Sequence, residues 1–459
     1  MNPFKHQIEG IKFLKEKGRA ILADEMGIGK TLQAMIAAKE SGGGVIVVCP
    51  ASVKLNWRNE INAQYPIDRV IVINSTDPIP TGADWYVINY DILGKKRELL
   101  LAFFRDKDTR TLILDEAHYT KNRSKRAKAA MDLAAAAERV YLLTGTPIMN
   151  RPAELFNLLK AVGSPLAKNW YAYMMRYCGA WRRTLKNGRT FLDTSGASNL
   201  DELRMRIAPY FLRREKKDVL DLPEKIIQEI PIELSKWWRE RYDHAFDEYI
   251  EFLRANPITE KSIDNVLLAR HLVELQKVKQ VCSRAKIEQI TEDIGEIASA
   301  GEKVVVFTQY RETLAAIEQG ARERKLTIQT ISGETSIQDR QSAVEAFQGG
   351  SVDVFIGNIK AAGIGITLTA ANKVIFADLD WTPATHDQAE DRCHRIGQTG
   401  TVNVYYYIAT DTIEEDIIEM IQKKRQIIQK ILAGETAKTS ENVASQLIKK
   451  LLTGVHNSI

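Results

Sequence analysis

The chain has 459 residues, of which 44% are hydrophobic and 27% charged, an ordinary mixture that excludes the disordered and fibrous classes. This length exceeds what one hydrophobic core usually supports, so we expect two or three domains. The 64 basic and 59 acidic residues leave a net charge of +5, which suits a polyanionic partner but is also ordinary for metabolic enzymes.

The cysteines stand singly, without a C-x-x-C pair, and therefore predict neither a zinc site nor a disulfide framework. The N-terminal segment MNPFKHQIEG lacks an apolar signal region, and no run of about 18 apolar residues occurs elsewhere. We expect a cytoplasmic protein that makes no membrane contact.

Short β-rich runs alternate with polar or helical stretches in the first third of the chain. They cover 19–23, 45–49, 70–73, 85–89, 111–115 and 140–144. Such runs are typical of buried parallel strands joined by crossovers. A second series begins with KVVVF and ends with VNVYYYI, so we predict an α/β fold with two lobes.

The segment ADEMGIGKT lies between the strand RAILA and the helix-like TLQAMIAAKE. Gly27 and Gly29 permit close backbone approach to a phosphate, and Lys30 can reach the β- and γ-phosphates. The Thr31 hydroxyl can ligate Mg²⁺. Asp24 stands where the general pattern has its first glycine, so that pattern is only partly met. The segment predicts a phosphate-binding loop.

The motif DEAH follows the apolar strand TLIL and places two carboxylates at the strand end. Asp115 suits a Mg²⁺ shell, and Glu116 suits polarisation of an attacking water. Alone, the motif would be an ordinary acidic turn, but together with the lysine loop it predicts nucleotide hydrolysis. The hydroxyls of the following LTGTP can relay the phosphate state, and a simple turn ended by proline is the alternative.

Between about 165 and 290 the strand pattern fades, and helical periodicity predicts helical insertions. Basic residues form two clusters near this region, the second one interleaved with aromatic residues. The clusters contain Lys121, Arg123, Lys125, Arg126 and Lys128, then Arg176, Arg182, Arg183, Lys186 and Arg189 with Trp170, Tyr171, Tyr173, Tyr177 and Trp181. Such clusters suit a nucleic-acid backbone and stacked bases, and a solvated face beside buried aromatics is the alternative.

The segment QAEDRCHRIGQ spaces Arg392 and Arg395 three residues apart, on one face if the segment is helical. Two arginines from a second lobe suit an arginine-finger arrangement, because phosphoryl transfer is catalysed mainly by positive charge placed on the transition state. A surface ion pair is the alternative.

Thr412 and Glu415 have capping-box spacing ahead of an apolar stripe. We expect a helix here that packs back across the lobes. The stripe consists of Ile413, Ile417, Ile421, Ile428 and Ile431.

These motifs resemble a known family over nearly the whole chain. The segments that carry the resemblance occur in order and include HQIEG, DEMGIGKT, VVCPASVKLNW, INYDIL, LDEAH, LTGTPIMN, FLRREKKDVLDLPEK, VVFTQY, AAGIGITLTAAN and QAEDRCHRIGQ. They are similar to the Swi/Snf-type ATPases, double-stranded-DNA translocases within the DEAD/DEAH helicase superfamily. In that family, aspartate is the expected residue at position 24.

The resemblance implies two tandem RecA-like lobes that hold ATP and Mg²⁺ in the cleft between them, with a C-terminal bracing helix. The expected boundaries are lobe 1 over 1–165, helical insertions and linker over 166–285, lobe 2 over 286–432 and a tail over 433–459.

The resemblance also implies residue roles. The implied catalytic residues are Lys30, Asp115, Glu116, Arg392 and Arg395, with Mg²⁺ on Thr31 and Asp115. The implied ATP-binding residues are Gln7, which would read the adenine edge, Asp24, Glu25, Met26, Gly27, Ile28, Gly29, Lys30, Thr31 and Gln388. The implied nucleic-acid contacts are Ser52, Tyr90, Gln309 and Thr367.

The segments AAGIGITLTAA and RCHRIGQ are most similar to the annealing-helicase branch, which rewinds DNA and remodels forks. Because the first residues lead straight into the Gln7 motif, we expect a bare, monomeric motor on double-stranded or branched DNA, associated with a nucleoid or a host cell. The alternatives are a strand-separating DNA or RNA helicase, and a motor that acts on RNA polymerase, another DNA-bound protein or a defence complex.

Overall fold

The computed structural model describes residues 2–105, 109–121, 124–147, 151–184, 190–194, 196–256, 265–363, 365–433 and 443–457. Arg123, Lys186 and Arg189 of the predicted basic clusters lie outside these residues. The chain divides into two compact units. The first comprises Met1–Trp181, Thr194–Leu222 and Lys430–Thr439, and the second comprises Arg182–Asp193, Pro223–Gln429 and Ser440–Ile459.

A parallel sheet forms the centre of the first unit. Its strands are β1 (Arg19–Leu22), β2 (Gly44–Cys49), β3 (Val70–Val72), β4 (Trp85–Asn89), β5 (Thr109–Asp115), β6 (Arg139–Leu143) and, at one edge, β9 (Phe211–Leu212). The strands β7 (Trp181–Thr184) and β8 (Thr190–Asp193) pair with each other in a separate two-stranded sheet. The order is β3-β4-β2-β5-β6-β1-β9. Leu22 pairs with Leu143, and Leu143 pairs with Asp115. This register brings the loops that follow β1, β5 and β6 to one edge of the sheet.

Helices flank this sheet. They are α1 (Lys5–Lys17), α2 (Lys30–Ser41), α3 (Lys54–Gln64), α4 (Tyr90–Arg105), α5 (Lys125–Ala136), α6 (Leu155–Ala161), α7 (Trp170–Tyr177), α8 (Leu200–Ile207) and α9 (Lys216–Val219). Caps define two of their starts, because the Ser124 side chain accepts a hydrogen bond from the Ala127 N–H and the Asn169 side chain accepts one from the Ala172 N–H.

A second parallel sheet forms the centre of the second unit. Its strands are β10 (Lys225–Ile232), β11 (Val304–Thr308), β12 (Ile328–Ile331), β13 (Val354–Asn358), β14 (Lys373–Phe376) and β15 (Val402–Ala409), in the order β10-β15-β14-β11-β13-β12. The helices of the rest of the chain are α10 (Lys236–Ala255), α11 (Asn265–Ala285), α12 (Ile287–Ser299), α13 (Arg311–Glu323), α14 (Ile337–Gln348), α15 (Ile359–Ala362), α16 (Pro383–Glu390), α17 (Ile413–Ala433) and α18 (Val443–Asn457). The predicted α/β fold with two RecA-like sheets is confirmed.

The interval between 165 and 290 contains the predicted helices, among them α7, α8, α10 and α11, but it also contains the strands β7 to β10, which were not predicted. β9 has only two residues, too few for a periodic pattern. β10 is mostly exposed or half-buried along its length, so it lacks the apolar run of a central strand. Its eight residues pair in register with β15, and this backbone pairing, which the side-chain pattern does not reveal, makes it a strand.

The apolar stripe of α17 packs into the core of the second unit. Ile413, Ile417 and Ile421 are buried there with Tyr242 of α10, while Ile428 is half-buried and the Ile431 side chain lies outside the described residues. Among those residues, every helix falls short of the length and apolarity that crossing a bilayer requires.

Candidate active site

The phosphate loop connects β1 to α2 through two left-handed glycines. Gly27 has φ of 79°, and Gly29, which caps α2, has φ of 87°. A methyl group at Gly29 would also overlap the side-chain amide of Gln7. Only glycine meets both requirements at position 29. The loop thus leads into the backbone N–H groups at the start of α2, where a helix attracts phosphate.

The Lys30 side chain folds back onto this loop. Its Nζ donates to the carbonyl oxygens of Asp24 at 2.7 Å and Glu25 at 3.0 Å. Met26 and Ile28 are buried below the loop. A phosphate oxygen is a stronger partner for an ammonium group than a neutral carbonyl, because the bond is then charge-assisted on both sides.

The Gln7 side chain is buried against the same loop. Its Oε1 accepts from the Phe4 N–H at 2.9 Å, and its Nε2 donates to the Ile28 carbonyl at 3.1 Å. The His6 ring nitrogen Nε2 lies 3.1 Å from that carbonyl as well. The adenine-reading role of Gln7 stays a prediction, and the structure places its amide beside the phosphate loop.

Asp24 is buried and paired with an arginine from a distant part of the chain. Its side chain has no exposed surface. Arg214 Nε donates to one carboxylate oxygen at 3.0 Å and Nη2 donates to the other at 2.5 Å. The ATP-binding role of Asp24 stays a prediction, and in this structure its side chain is held by Arg214 at the start of the loop.

The DEAH carboxylates lie at the end of β5 near Lys30. Asp115 Oδ2 accepts a hydrogen bond from Trp57 Nε1 at 2.8 Å. Burial and the neighbouring charge of Glu116 raise the pKa of Asp115 to about 7, while the Trp57 hydrogen bond and the charge of Lys30 oppose this rise. A divalent cation would offset both raising effects. Asp115, with the half-buried Thr31 at the start of α2, therefore fits Mg²⁺.

Glu116 has a left-handed backbone, with φ of 48° and ψ of 51°. This conformation costs a non-glycine residue on the order of 1 kcal/mol, and such strain clusters at functional sites. Glu116 Oε2 lies 3.2 Å from His118 Nδ1, and Thr144 Oγ1 of LTGTP lies 3.5 Å from the same nitrogen. His118, the last residue of DEAH, thus lies between the Glu116 carboxylate and Thr144 of LTGTP, where the relay is predicted.

In the second unit, Arg392 and Arg395 converge although they are not on a helix. The helix α16 ends at Glu390, and the arginines lie on the turns that follow. The condition for a shared helical face, that this segment is helical, is therefore not met. Nevertheless, an Nη1 of each lies 3.4 Å from the Ile366 carbonyl oxygen, and Arg392 Nε donates to the main-chain oxygen of the buried Gln388 at 2.9 Å. The two guanidinium groups therefore share one location.

The family model described as "SNF2-related domain" matches residues 6–287. The chain belongs to the SNF2-related family. The model described as "Helicase conserved C-terminal domain" matches residues 285–397. Together these matches include both the lysine loop and the two arginines of this SNF2-related chain.

Curated relatives of this SNF2-related chain cover most of it. The "SWI/SNF-related matrix-associated actin-dependent regulator of chromatin subfamily A-like protein 1 homolog" of Caenorhabditis elegans is 33% identical over 453 residues, covering 96% of this chain and 63% of that protein. The "DNA annealing helicase and endonuclease ZRANB3" of Mus musculus is 34% identical over 445 residues, covering 94% and 41%. The chain thus spans less than two thirds of the length of these relatives.

A solved structure is also similar. It is the Sulfolobus solfataricus SWI2/SNF2 ATPase core in complex with dsDNA, at 27% identity and a TM-score of 0.44, and the match covers 94% of this chain and 93% of that one.

The four predicted nucleic-acid contacts differ in accessibility. Ser52 is half-buried on the turn after β2, and Thr367 is half-buried beside Ile366. Gln309 is held by Asp380, whose Oδ2 accepts from its Nε2 at 3.2 Å. Tyr90 is 1% exposed, and its hydroxyl donates to the Asp115 carbonyl at 2.8 Å. The Tyr90 side chain thus contacts the end of the DEAH strand, and its nucleic-acid contact stays a prediction.

An open, basic concavity of about 920 Å³ lies on the first unit. We call it the basic hollow. Its cationic lining consists of Lys121, Lys125, Lys128, Arg151, Lys160 and Lys168. Its two acidic side chains are each engaged by a cation, since Asp132 accepts from Arg97 Nε at 2.6 Å and Glu154 lies 3.6 Å from Lys121. The hollow therefore has a net positive lining.

The walls of the basic hollow are tied to each other. Asn157 Nδ2 donates to the Thr120 carbonyl at 2.7 Å, and the Tyr173 hydroxyl donates to the Pro152 carbonyl at 3.0 Å. Lys121, Lys125 and Lys128 of the first predicted cluster thus line a formed concavity. In the second cluster Tyr173 and Tyr177 are buried, and Arg176 pairs with Glu202. For these three residues the alternative of a solvated face beside buried aromatics is the better description.

Sequence reasoning assigned no role to Trp57, Gln33 or Arg214, which contact the site residues. Trp57 and Arg214 belong to PASVKLNW and FLRREKKDVL, two segments that carried the family resemblance. The resemblance indicated that these segments matter, but only the fold shows that they reach Asp115 and Asp24.

Proposed function

We propose that this chain hydrolyses ATP and uses the energy to translocate on double-stranded DNA. The observation that carries the proposal is the grouping of Lys30, Asp115 and Glu116 at one sheet edge, close enough for Lys30 and Glu116 to shift the pKa of Asp115. The two named relatives, a chromatin regulator homolog and a DNA annealing helicase, support DNA as the substrate.

Each group at this edge has a task in the proposed reaction. Lys30 exchanges its two carbonyl partners for the β- and γ-phosphates of ATP, while the N–H groups at the start of α2 hold the same oxygens. Glu116 orients the attacking water and accepts its proton. Asp115 and Thr31 hold Mg²⁺, which neutralises phosphate charge when bound.

The convergence of Arg392 and Arg395 supports a second part of the proposal. We assign both guanidinium groups to the γ-phosphate of the same ATP, where they stabilise the charge that develops during transfer. Gln388, whose carbonyl orients Arg392, is assigned to the same contact. ATP binding and hydrolysis then close and open the lobes in alternation, which steps the chain along one strand without separating the duplex.

The basic hollow supports nucleic-acid binding by the first unit. Its six cationic side chains suit a phosphate backbone, whose binding falls steeply as salt displaces it. Branched duplexes are the proposed substrates. The motor is proposed to act as a monomer, in the cytoplasm or at the nucleoid, on bare DNA or on DNA-bound protein.

The ATPase rate against duplex, single-stranded and forked DNA and against RNA tests the proposal. We expect the greatest stimulation by duplex or forked DNA. Lys30→Ala and Glu116→Gln should each lower turnover at least about 100-fold. The matched control is Lys12→Ala, which removes an exposed lysine paired only with Glu16 of the same helix. Near-normal turnover in either site variant contradicts the assignment.

Triplex displacement and fork unwinding separate translocation from strand separation. A duplex translocase displaces a third strand without opening the duplex. Efficient unwinding with no triplex displacement would support a strand-separating helicase instead. Co-purification with RNA polymerase or a defence complex, together with weak DNA stimulation, would support a protein-remodelling motor.

A further inference from the structure

A segment far downstream in sequence continues the sheet alongside the phosphate loop. We call residues 211–216 the strap. Beyond the paired strands β1 and β9, the Ala23 N–H donates to the Leu212 carbonyl at 2.7 Å and the Glu25 N–H donates to the Arg214 carbonyl at 3.0 Å. The Lys216 N–H donates to the Glu25 side chain at 2.8 Å. The strap thus fixes the backbone from which the phosphate loop starts.

Arg214 is the strap side chain that reaches farthest around the loop. Besides the two bonds to Asp24, its Nη2 donates to Gln33 Oε1 at 2.9 Å and its Nη1 donates to the His6 carbonyl. The side chain is only 11% exposed. Its planar fork matches the carboxylate geometry, which the single ammonium of a lysine does not.

The partners of Arg214 all belong to elements that border the nucleotide site. Asp24 begins the loop, Gln33 lies on α2, and His6 precedes Gln7 on α1. Gly10 leaves room for this arrangement, because a methyl group there would overlap Gln33 Oε1 and crowd the Arg214 guanidinium. One guanidinium therefore ties together three elements around the loop.

The contacts of Arg214 affect the position of the Lys30 side chain through the backbone of the loop. The Lys30 ammonium rests on the carbonyls of Asp24 and Glu25, and these are the two residues that the strap and Arg214 hold in place. A shift of either residue moves the resting position of the lysine that is to meet the phosphates. A misplacement of about 1 Å is enough to weaken such a site strongly.

We propose that Arg214 is a positioning residue for nucleotide binding and hydrolysis, acting on Lys30 through Asp24. Arg214 touches neither the nucleotide nor the reacting atoms. The inference rests on the proposed function in one respect, namely that Lys30 binds the phosphates. It adds that a nucleotide site near the N-terminus depends on a residue 190 positions downstream of Asp24.

The test uses the full chain with Arg214→Lys, which keeps the charge but loses the fork. Binding of a fluorescent ADP analogue with Mg²⁺ gives Kd, and steady-state hydrolysis gives the KM for ATP and kcat. We expect Kd and KM to rise together about tenfold, with kcat changed much less, because uniform binding is lost. The melting temperature should stay close to that of the unchanged chain.

A double-mutant cycle separates positioning from general structural support. Asp24→Asn should reproduce the rise in Kd, and the combined variant should be no weaker than either single one, because both remove the same interaction. The control is Arg206→Lys, which alters another arginine–carboxylate pair of the first unit, with Glu202, and should leave Kd unchanged.

A Kd within twofold of the unchanged chain in both Arg214→Lys and Asp24→Asn overturns the inference, and so do fully additive losses in the cycle. These outcomes are distinct from failure of the proposed function. If the unchanged chain binds the nucleotide but hydrolyses none, the proposed function fails, whereas the comparison of Kd values still decides the role of Arg214.

Discussion

The lysine loop of the first unit and the arginine segment of the second are built around buried carboxylates. Asp24 lies six residues before Lys30, and Glu390 lies just before Arg392. Neither carboxylate has exposed surface. Each is held by a cation from a distant part of the chain, Arg214 for Asp24 and Lys225 for Glu390.

The two carboxylates differ in how many groups hold them. Asp24 is held by one guanidinium and the weaker amide of Gln33, at 3.4 Å. Glu390 accepts from Lys225 at 2.6 Å, Tyr406 at 2.7 Å and Arg425 at 3.2 Å. Asp24 therefore depends mainly on one guanidinium group, whereas Glu390 is held by three side chains. We expect the phosphate loop to change its position more readily than the arginine segment when one of these contacts is removed.

The largest expected effect comes from Glu390→Ala. Burial alone would raise the pKa of Glu390, but Lys225 and Arg425 lower it to about 2, so the carboxylate is charged at neutral pH. Removing it takes away the carboxylate that Lys225 contacts and one of the two that Arg425 contacts, the other being Asp387 at 2.6 Å. The free energy of unfolding should fall by about 3–5 kcal/mol. Urea unfolding measures the loss, with Glu16→Ala, at an exposed position of α1, as the control. A loss below about 1 kcal/mol would show that the contacts of Glu390 contribute little to the stability of the folded chain.

Acid should lower the free energy of unfolding through His386, which lies on α16 just before the arginine segment. Burial lowers the pKa of this imidazole to about 4, whereas in the unfolded chain it is about 6.5. The folded state therefore binds the proton less well, so stability is full above pH 6.5 and falls as the pH drops towards 4. The shift corresponds to at most about 3 kcal/mol. Unfolding measured across this range should depend less on pH in His386→Gln, and an unchanged slope would argue against the assignment.

Gly145→Ala tests the packing of LTGTP on the phosphate loop. A methyl group at Gly145 would overlap the Met26 side chain, and overpacking of this kind costs typically about 1–3 kcal/mol. We expect the free energy of unfolding to fall by this amount and the KM for ATP to rise. Gly145→Ala combined with Met26→Ala should recover part of both losses. No recovery would mean that the contact with Met26 is not the cause.

The smallest expected effect comes from Gln33→Leu. This change removes the oxygen that accepts from Arg214 and the donor to Asp24, while the bidentate pair remains. The net loss for such hydrogen bonds is about 1 kcal/mol. Urea unfolding measures this loss of stability. A rise in the Kd for the fluorescent ADP analogue as large as that of Arg214→Lys would mean that the Gln33 amide, and not the Arg214 guanidinium, holds the loop in place.

The sequence predicted the buried strands and the phosphate loop because both depend on local chemistry. β2, β4 and β5 are continuous apolar runs, and the glycines of the loop stand where positive φ is needed. Asp115 and Glu116 were predicted from their position at a strand end, which the register of β5 confirms.

What the sequence could not predict depends on pairing between distant segments. β9 and β10 are strands because of their neighbours β1 and β15, and their own residues show no strand pattern. The inward direction of Asp24 follows from Arg214, 190 residues away. Tyr90 sits in a motif whose backbone lies near the site, but only the fold shows that its ring is buried.

At Glu116, a backbone conformation that is unfavourable for a non-glycine residue coincides with the side chain that the proposed reaction requires. Asparagine and glycine adopt this conformation more readily than glutamate, and neither can serve as a base. In the proposed reaction, a chain with glycine there would have a relaxed backbone but no base at position 116 to accept the proton of the attacking water. The backbone energy spent at Glu116 would therefore serve turnover and not stability.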